Sequence, residues 1–400
     1  MFLKSIILSI AFVGSSHVIM AQDSMPVIAY MGVPDWKTSD ENFKTLSECG
    51  FTVSLYPYAS LNLLVKACRS AEKYGVRVLG RCSEMFDTPA KAAQTLKAEK
   101  GFYGYFLQDE PNVPQIRERQ KEIGALKRVD STHCFYINLL PCINPDWVQS
   151  STKAKSYPEY LRAASSTDIQ QISFDYYPIT SDGVRQTWYN NLEMVRRESI
   201  ASGKPFWAFT LSVPHDVPSS DTRKYPMPTM ASLRLQIYSN LAYGAQAIQY
   251  FTYWTPGKNE GYNYHDAPIS REGVKTKTYD LVRQMNAELK SVASLFYKAK
   301  VTNVSHMGKK LPEGTRHLET MPVNIRRIIT NGRDGAIVSQ FEKAGHKYLA
   351  IVNKSLKSTL KVEIDTFNDQ PVQVTKSLST VPMQRKYAVT AGDMIVFKLR

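Results

Sequence analysis

The chain has 400 residues, 43% of them hydrophobic and 22% charged, which excludes extensive disorder and is enough for one large domain and a smaller one. The formal net charge is +14. A basic surface attracts anionic polymers, but the sequence has no helix-turn-helix, zinc finger or run of Lys and Arg, so we expect no nucleic-acid partner. No apolar run reaches the length of a membrane span, and we expect none in the mature chain.

The first segment in chain order is a predicted secretory signal peptide, residues 1–21. Lys4 gives it a positive start, residues 6–13 are apolar, and Ala21 suits cleavage. We therefore expect an exported protein, either periplasmic or secreted. The five cysteines form no CxxC pair and are interpreted as apolar core residues, with a single disulfide left open.

Eight strand-like segments follow, separated by segments with the apolar spacing of amphipathic helices. Several helical segments end at glycine just before the next strand, as at Gly75 and Gly244, which is a common signal for a helix C-terminus. Strands that alternate with helices predict parallel pairing, and eight such units predict a closed (β/α)8 TIM barrel within residues 22–299. A doubly wound sheet is the alternative, but no glycine-rich loop follows the first strand. The eight segments are residues 27–32, 51–58, 76–82, 104–111, 134–141, 169–178, 205–212 and 247–254.

The texture of the sequence changes after residue 295. Helical spacing stops, and short β-like runs appear, among them AIVSQF, KYLAIVN and DMIVFKLR. Turn signals such as Asn331-Gly332 and Ala391-Gly392 separate them. This pattern predicts a small all-β domain, a sandwich, over residues 300–400.

Polar and aromatic residues collect where the predicted barrel strands end, and barrel enzymes place their active sites at those ends. The fourth segment, GYFLQDEPN, is apolar until two adjacent carboxylates, Asp109 and Glu110, and the sixth segment carries Asp175. The further candidates for contact with a substrate are Asn138, Tyr177, Trp207, His215, Gln249, Trp254 and Asp266.

An acidic and aromatic rim suits a carbohydrate, because aromatic faces stack on sugar rings while carboxylates and amides hold the hydroxyls. Glycoside hydrolysis uses two carboxyl groups, one of them protonated at working pH. Burial near Phe106 and the adjacent charge of Asp109 would both raise the pKa of Glu110. The dispersed histidines and the lack of an HExxH or G-x-S-x-G motif predict no metal, no cofactor and no Ser-His-Asp machinery.

A barrel with a Glu closing strand four, a Trp closing strand eight and a β-sandwich behind it resembles the clan A glycoside hydrolases. The segments that carry the resemblance are GYFLQDEPN, ISFDYYP, KPFWAFTLS and LAYGAQAIQYFTYWTP followed by HDAPI. It covers nearly the whole mature chain and is strongest with exported barrel proteins of gut Bacteroidetes labelled as glycoside hydrolases. In clan A, strand four ends Asn-Glu, so the resemblance implies Glu110 as general acid/base and Asp109 at the position of the sugar-binding Asn.

The sequence departs from clan A at strand seven, where the family carries its nucleophilic Glu. This chain has Phe209-Thr210-Leu211-Ser212 there and no acid until Asp216. We take Asp175 as the second carboxylate, because strand-four and strand-six acids pair in other retaining barrel families. A direct attack by Asp175 would make the enzyme retaining, with carboxyl groups roughly 5 Å apart, and activation of water would need about 6.5–9.5 Å.

The resulting hypothesis is a glycosidase acting on an oligo- or polysaccharide, with Glu110 and Asp175 as catalytic residues and the oligomeric state left open. Two alternatives remain. A non-catalytic glycan-binding barrel would explain the missing strand-seven Glu. A polysaccharide lyase would use Arg81 and Tyr177 on a uronate.

Overall fold

The structure is a computed structural model that describes residues 24–217, 224–257, 261–367 and 371–399. The predicted signal peptide, residues 1–21, lies outside the described residues. Within the described part of the chain, no helix has the length and apolar character needed to cross a bilayer.

Eight parallel strands close into a barrel, which confirms the predicted TIM-barrel fold. The strands pair in chain order, and the first closes on the eighth with Ile28 opposite Gln249. The strands are β1 (Val27–Tyr30), β2 (Val53–Pro57), β3 (Arg77–Arg81), β4 (Phe102–Asp109), β5 (Cys134–Leu139), β6 (Ile172–Phe174), β7 (Phe206–Leu211) and β8 (Ala247–Phe251).

Helices cover the outside of the barrel, and their ends follow local sequence signals. Ser39, Ser60 and Thr229 accept hydrogen bonds from first-turn backbone N–H groups, and Gly244 ends its helix in the left-handed conformation. The helices are α1 (Asp40–Glu48), α2 (Leu61–Glu72), α3 (Glu84–Asp87), α4 (Pro89–Lys97), α5 (Val113–Lys127), α6 (Pro145–Thr152), α7 (Tyr157–Ser165), α8 (Thr187–Ser202), α9 (Met230–Tyr243) and α10 (Lys277–Phe296), with a 3-10 turn at Asp35–Lys37.

The barrel has two apolar layers, because successive strand residues point alternately inward and outward. The inward layer is a small cluster that includes Ile28, Leu55, Phe106 and Phe209. The outward layer packs against the helices and forms the main core. All five cysteines are free, and three of them are buried, so the disulfide left open by the sequence does not form.

The chain after α10 forms antiparallel sheets, as predicted. One sheet has six strands in the order β9-β11-β12-β17-β14-β15, and the other has three in the order β10-β13-β16. Apolar side chains of the two sheets, such as Val338, Leu349, Val362 and Ile364, share one core. The strands are β9 (Lys300–Met307), β10 (Ile325–Thr330), β11 (Ala336–Lys343), β12 (His346–Asn353), β13 (Leu360–Thr366), β14 (Val372–Val374), β15 (Thr380–Pro382), β16 (Lys386–Val389) and β17 (Met394–Leu399).

Helix α9 connects the barrel to the six-stranded sheet. Ser339 on β11 donates a hydrogen bond to the Ala242 carbonyl over 2.7 Å. Gly392, with φ of +68°, lies so close to the helix that a Cβ there would be 2.1 Å from the Ala231 carbonyl oxygen. The helix is therefore covered by the barrel on one side and by the sheet on the other.

Candidate active site

The two strand-four carboxylates sit in a sharp turn between β4 and α5. Asp109 is the last residue of β4, and Glu110 has φ of +47°, a conformation that costs a non-glycine residue about 1–3 kcal/mol. The Glu110 N–H donates to the Asn138 carbonyl on β5 over 2.9 Å. Asn112 then starts α5 with a capping box formed with Gln115. The turn is fixed on both sides, which places Glu110 at the rim of the barrel.

Asn138 brings together the carboxylates of strands four and six. Its Nδ2 donates to Asp109 Oδ1 over 3.1 Å and to Asp175 Oδ1 over 3.3 Å. Tyr30, the last residue of β1, donates its hydroxyl to Asp109 Oδ2 over 2.7 Å. Asp109 and Asp175 therefore share one amide group, and Glu110 follows Asp109 directly.

A buried chain of hydrogen bonds orients that amide. Ser173 donates to Asn138 Oδ1 over 2.9 Å, and its Oγ accepts from Gln249 Nε2 over 2.8 Å. Gln249 Oε1 accepts in turn from the Tyr136 hydroxyl over 2.7 Å, and the Tyr136 and Ser173 oxygens are 3.0 Å apart. Since an amide carries its donor and acceptor on different atoms, this chain turns the Asn138 NH2 toward the two carboxylates. We call Asn138, Ser173, Gln249 and Tyr136 the amide relay.

The surroundings raise the pKa of all three carboxyls. Desolvation by nearby protein atoms, and then the charge of Asp109, raise the pKa of Glu110 to about 7. Burial, followed by the charges of Glu110 and Asp109, holds the pKa of Asp175 well above its usual range. Desolvation also raises the pKa of Asp109, against the opposing hydrogen bonds from Tyr30 and Asn138. Asp175 is only 7% exposed, whereas Asp109 and Glu110 remain open to solvent and so to a substrate.

Hydrogen-bond donors determine which carboxyl keeps its charge, because they stabilise the ionised form. Asp175 accepts from Asn138, and a hydrogen bond from Tyr177 also lowers its pKa. Asp109 accepts from two donors. The pKa of Glu110 has no such contribution from any described residue. The hydrogen bonds thus oppose the effect of burial at Asp109 and Asp175 but not at Glu110, and the three carboxyls titrate as one coupled group.

We call the opening at the carboxyl end of the barrel, around Asp109, Glu110 and Asp175, the mouth. Tyr177 forms the side of the mouth next to Asp175. Its ring centroid is 5.3 Å from that of Phe251, the last residue of β8, and 6.5 Å from that of Phe209 within β7. The charges of Asp175, Asp109 and Glu110 all raise the pKa of its phenol, in addition to burial. Tyr177 thus lies close to all three carboxyls, and its phenol stays protonated and can donate a hydrogen bond.

A second aromatic surface adjoins Tyr177, whose ring centroid is 6.3 Å from that of Tyr225. His215 is buried and stacks on Tyr225, with centroids 4.4 Å apart, and its ring is 4.7 Å from that of Tyr264. The rings of Tyr264 and Tyr262 are parallel within 3° at 5.5 Å. Of the three carboxyls, only Glu110 acts on the pKa of Tyr264. We call His215, Tyr225, Tyr262 and Tyr264 the aromatic wall.

Comparison with known proteins now bears on the chemistry of this site. Residues 135–292, from β5 to α10, match the family model Glyco_hydro_42, which is described as beta-galactosidase. The predicted glycosidase is confirmed at this level. The matched stretch carries Asn138 and Asp175 and begins after Glu110, so the comparison does not identify the catalytic residues of this glycosidase.

Two solved structures show the same fold. A beta-galactosidase from Bacillus circulans sp. alkalophilus aligns with a TM-score of 0.64 at 10% identity, over 94% of this chain and 99% of that chain. A catalytic mutant of a family 42 beta-galactosidase from G. stearothermophilus aligns with a TM-score of 0.60 at 8% identity, over 94% and 98% of the two chains. The resemblance to clan A barrels with a β domain is therefore confirmed. A search of curated proteins found no match.

The structure brings most of the predicted site residues to one end of the barrel, although not all in the expected role. Asn138 and Gln249 are 3% and 0% exposed and belong to the amide relay, so they support carboxylates and do not face the substrate. His215 is also buried, and desolvation lowers its pKa to about 4, which keeps it neutral behind Tyr264. Asp266 is exposed, has φ of +48° and accepts from His265 Nδ1 over 2.9 Å.

The two tryptophans predicted to bind sugar do not lie in the mouth. Trp207 is the second residue of β7, at the amino end of the barrel, where its ring packs near Tyr103 and Tyr136. Trp254 is 4% exposed in the outer core, and its indole N–H donates to the Arg271 carbonyl. Neither ring offers a free face to a substrate at the carboxylates, so both predictions are wrong.

Several site residues were missed or undervalued by the sequence interpretation. Tyr30 ends β1 and could have been found by the rule that located Asp109. Ser173 and Tyr136 lie inside strands, and the wall tyrosines lie in loops, so nothing in the local sequence distinguishes them from core or loop residues. Within the described residues, no cluster of three or more His, Cys, Asp or Glu could hold a metal ion.

Proposed function

We propose that this glycosidase cleaves β-galactosides, with Glu110 as the general acid/base and Asp175 as the second catalytic carboxylate. The arrangement that supports the roles is the shared Asn138 amide, which donates to both Asp109 and Asp175, beside a Glu110 whose pKa is raised to about 7 by desolvation and by the charge of Asp109. The choice of sugar follows the description of the matching family model. Export through the predicted signal peptide, and the lack of a nucleic-acid partner, are also proposed.

In the first step, Glu110 donates its proton to the oxygen of the scissile bond, so that the leaving sugar departs as a neutral alcohol. Asp175 either attacks the anomeric carbon directly or takes a proton from the attacking water. In the first case Glu110 then acts as base toward water, and the sugar configuration is retained. The anomeric form of the first-released product, followed by NMR, distinguishes the two courses.

The strand-seven departure favours one competing function, a barrel that binds glycans without cleaving them. Strand seven ends in Leu211, Ser212 and Val213, all buried, so it supplies no carboxylate to the mouth. The lyase alternative loses its cation, because Arg81 donates to the Leu107 carbonyl and lies over the Phe86 ring.

The experiment is Glu110→Gln, assayed on lactose and on 2,4-dinitrophenyl β-galactoside. We expect kcat on lactose to fall by about 10²–10⁴-fold, with a much smaller loss on the dinitrophenyl substrate, whose leaving group needs no proton. Glu118→Gln, which changes an exposed carboxyl on α5, is the matched control and keeps full activity. Equal activity of wild type and Glu110→Gln on lactose would show that Glu110 is not the acid. Sugar binding without turnover in both would favour the glycan-binding barrel.

A further inference from the structure

The turn that carries Glu110 depends on the contacts made just before and just after this residue. Glu110 has φ of +47°, and a residue with a side chain stays in that conformation only where its surroundings enforce it. On the N-terminal side, the Glu110 N–H donates to the Asn138 carbonyl. On the C-terminal side, Pro111 has no N–H and offers only its carbonyl oxygen. The group that binds this oxygen therefore holds the other side of the turn.

A buried tyrosine of α7 binds the Pro111 carbonyl. The Tyr160 hydroxyl donates to that oxygen over 2.6 Å and accepts from the Leu140 N–H over 3.3 Å, so the phenol uses both its donor and its acceptor. Leu140 directly follows β5, which lies between the strands β4 and β6. Tyr160, which is 0% exposed, thus joins the turn after β4 to the end of the neighbouring strand.

The Tyr160 phenol lies behind the carboxyls and not in the mouth. Burial is the main cause of its raised pKa, and the charges of Glu110, Asp175 and Asp109 add to the rise, against the Leu140 hydrogen bond. Its two hydrogen bonds go to backbone groups and not to a carboxylate. Tyr160 therefore acts on Glu110 through the turn.

We propose that Tyr160 is a positioning residue for the general acid, because its bond to the Pro111 carbonyl holds Glu110 at the mouth beside Asp109. The inference rests on the proposed function, since it takes Glu110 as the acid. Without this bond the turn can relax to an unstrained conformation, and the Glu110 side chain can move away from Asp109 into solvent. Proton donation then loses its alignment, whereas a step that needs no proton transfer does not.

The kinetic test is Tyr160→Phe, assayed by kcat/KM on lactose and on 2,4-dinitrophenyl β-galactoside. This ratio reports transition-state stabilisation relative to free enzyme and substrate, and only lactose needs a proton on its leaving oxygen. We expect kcat/KM to fall about tenfold to a hundredfold on lactose, the effect of a slightly misplaced catalytic group. On the dinitrophenyl substrate it should stay within twofold of wild type. An equal loss on both substrates would overturn the proposal.

Two further variants control for the loss of a buried hydroxyl. Tyr157→Phe, three residues earlier on α7, removes a bond of 3.0 Å to the Leu140 carbonyl and leaves Pro111 held, so both substrates should react within twofold of wild type. Tyr160→4-aminophenylalanine keeps a donor for the Pro111 carbonyl but is a poor acceptor for the Leu140 N–H, so it should hydrolyse lactose as wild type does. It also carries the test if Tyr160→Phe does not fold. A selective loss on lactose in either control would assign the effect to the loop after β5 and reject the proposal.

A titration of Glu110 separates this proposal from the proposed function. Desolvation and the charge of Asp109 raise the pKa of Glu110 to about 7, and both causes weaken if its side chain moves outward. In protein labelled with ¹³C at the Glu carboxyls, the Glu110 signal is identified by its loss in Glu110→Gln. We expect it to titrate at lower pH in Tyr160→Phe than in wild type, and at the wild-type pH in Tyr157→Phe. A lowered pKa in Tyr160→Phe supports the positioning role even if Glu110 is not the acid, and an unchanged pKa rejects it even if Glu110 is.

Discussion

The two ends of the barrel differ in what they contain. At the carboxyl end, Asp109, Glu110 and Asp175 meet in a mouth, where desolvation raises the pKa of all three, the charge of Asp109 adds to the rise at Glu110, and the charges of Glu110 and Asp109 add to the rise at Asp175. At the amino end lies a cavity of about 720 Å³, and none of the described residues that line it is acidic. One of its lining cations, Lys204, donates to the carbonyls of Ser165 and Thr167. This cavity thus has volume but no acidic group to oppose its cations, which teaches that convergence of titratable groups locates the chemistry better than volume does.

The largest expected effect at the carboxyl end comes from Asp175→Asn. We expect kcat to fall by about 10⁴-fold, the upper range for loss of a catalytic base. The stability of the variant, in contrast, should increase relative to that of wild type as pH rises. The folded pKa of Asp175 is raised, so wild type loses stability as pH rises from the ordinary Asp value through that raised pKa. Thermal midpoints at pH 5 and pH 8 should show the variant gaining on wild type as pH rises. Retained activity would remove Asp175 from the mechanism.

Asp109→Asn tests how far the charge of Asp109 raises the pKa of Glu110. The Asp109 carboxylate is the second cause of the raised pKa of Glu110, so its removal lowers that pKa. The basic limb of the kcat/KM profile, where Glu110 loses its proton near pH 7, should move to lower pH. We expect activity at pH 7.5 to fall by about tenfold while activity at pH 5.5 changes less. A basic limb that stays in place would mean that Glu110 does not set it.

Ser173→Ala tests whether the amide relay positions Asn138. The change leaves Asn138 Oδ1 and Gln249 Nε2 without their partner, which costs about 1–3 kcal/mol of unfolding free energy and allows the amide to turn. We expect kcat to fall about tenfold with KM unchanged and the pH profile displaced. Thr210→Val is the matched control, because Thr210 is a buried strand hydroxyl with no hydrogen-bond partner among the described residues. A displaced profile in Thr210→Val as well would point to general loosening of the barrel.

The smallest effect on activity belongs to the amino end. Trp207→Phe replaces an indole ring that packs near Tyr103 and Tyr136 by a smaller phenyl ring. We expect a loss of about 1–2 kcal/mol in unfolding free energy, because the smaller ring leaves a cavity. Kinetic constants should stay within twofold of wild type, as measured by steady-state assay beside chemical denaturation. A catalytic loss as large as that of the Ser173 variant would break the contrast between the two ends.

The sequence predicted the barrel because strand and helix periodicities differ and eight repeats leave few closed arrangements. It also predicted Glu110 and Asp175 as candidates, because both follow apolar strands. It could not separate the mouth from the opposite end within one strand, which is why Trp207 was assigned to the wrong end. The amide relay was beyond reach for another reason. Tyr136 and Gln249 bond across 113 residues, and such a pairing depends on strand register, which local patterns do not fix.

Helix α9 is buried on nearly every side, with apolar and polar residues alike enclosed between the barrel and the six-stranded sheet. The outer helices of a barrel usually leave one face exposed to solvent, and α9 does not. Thr229 caps the start of α9, and the chain just before Thr229 leads back to Tyr225 in the aromatic wall. A protein truncated after α10 would therefore expose the apolar residues of α9 to water beside the substrate cleft. The β domain is thus better understood as an integral part of the catalytic unit than as a detachable accessory.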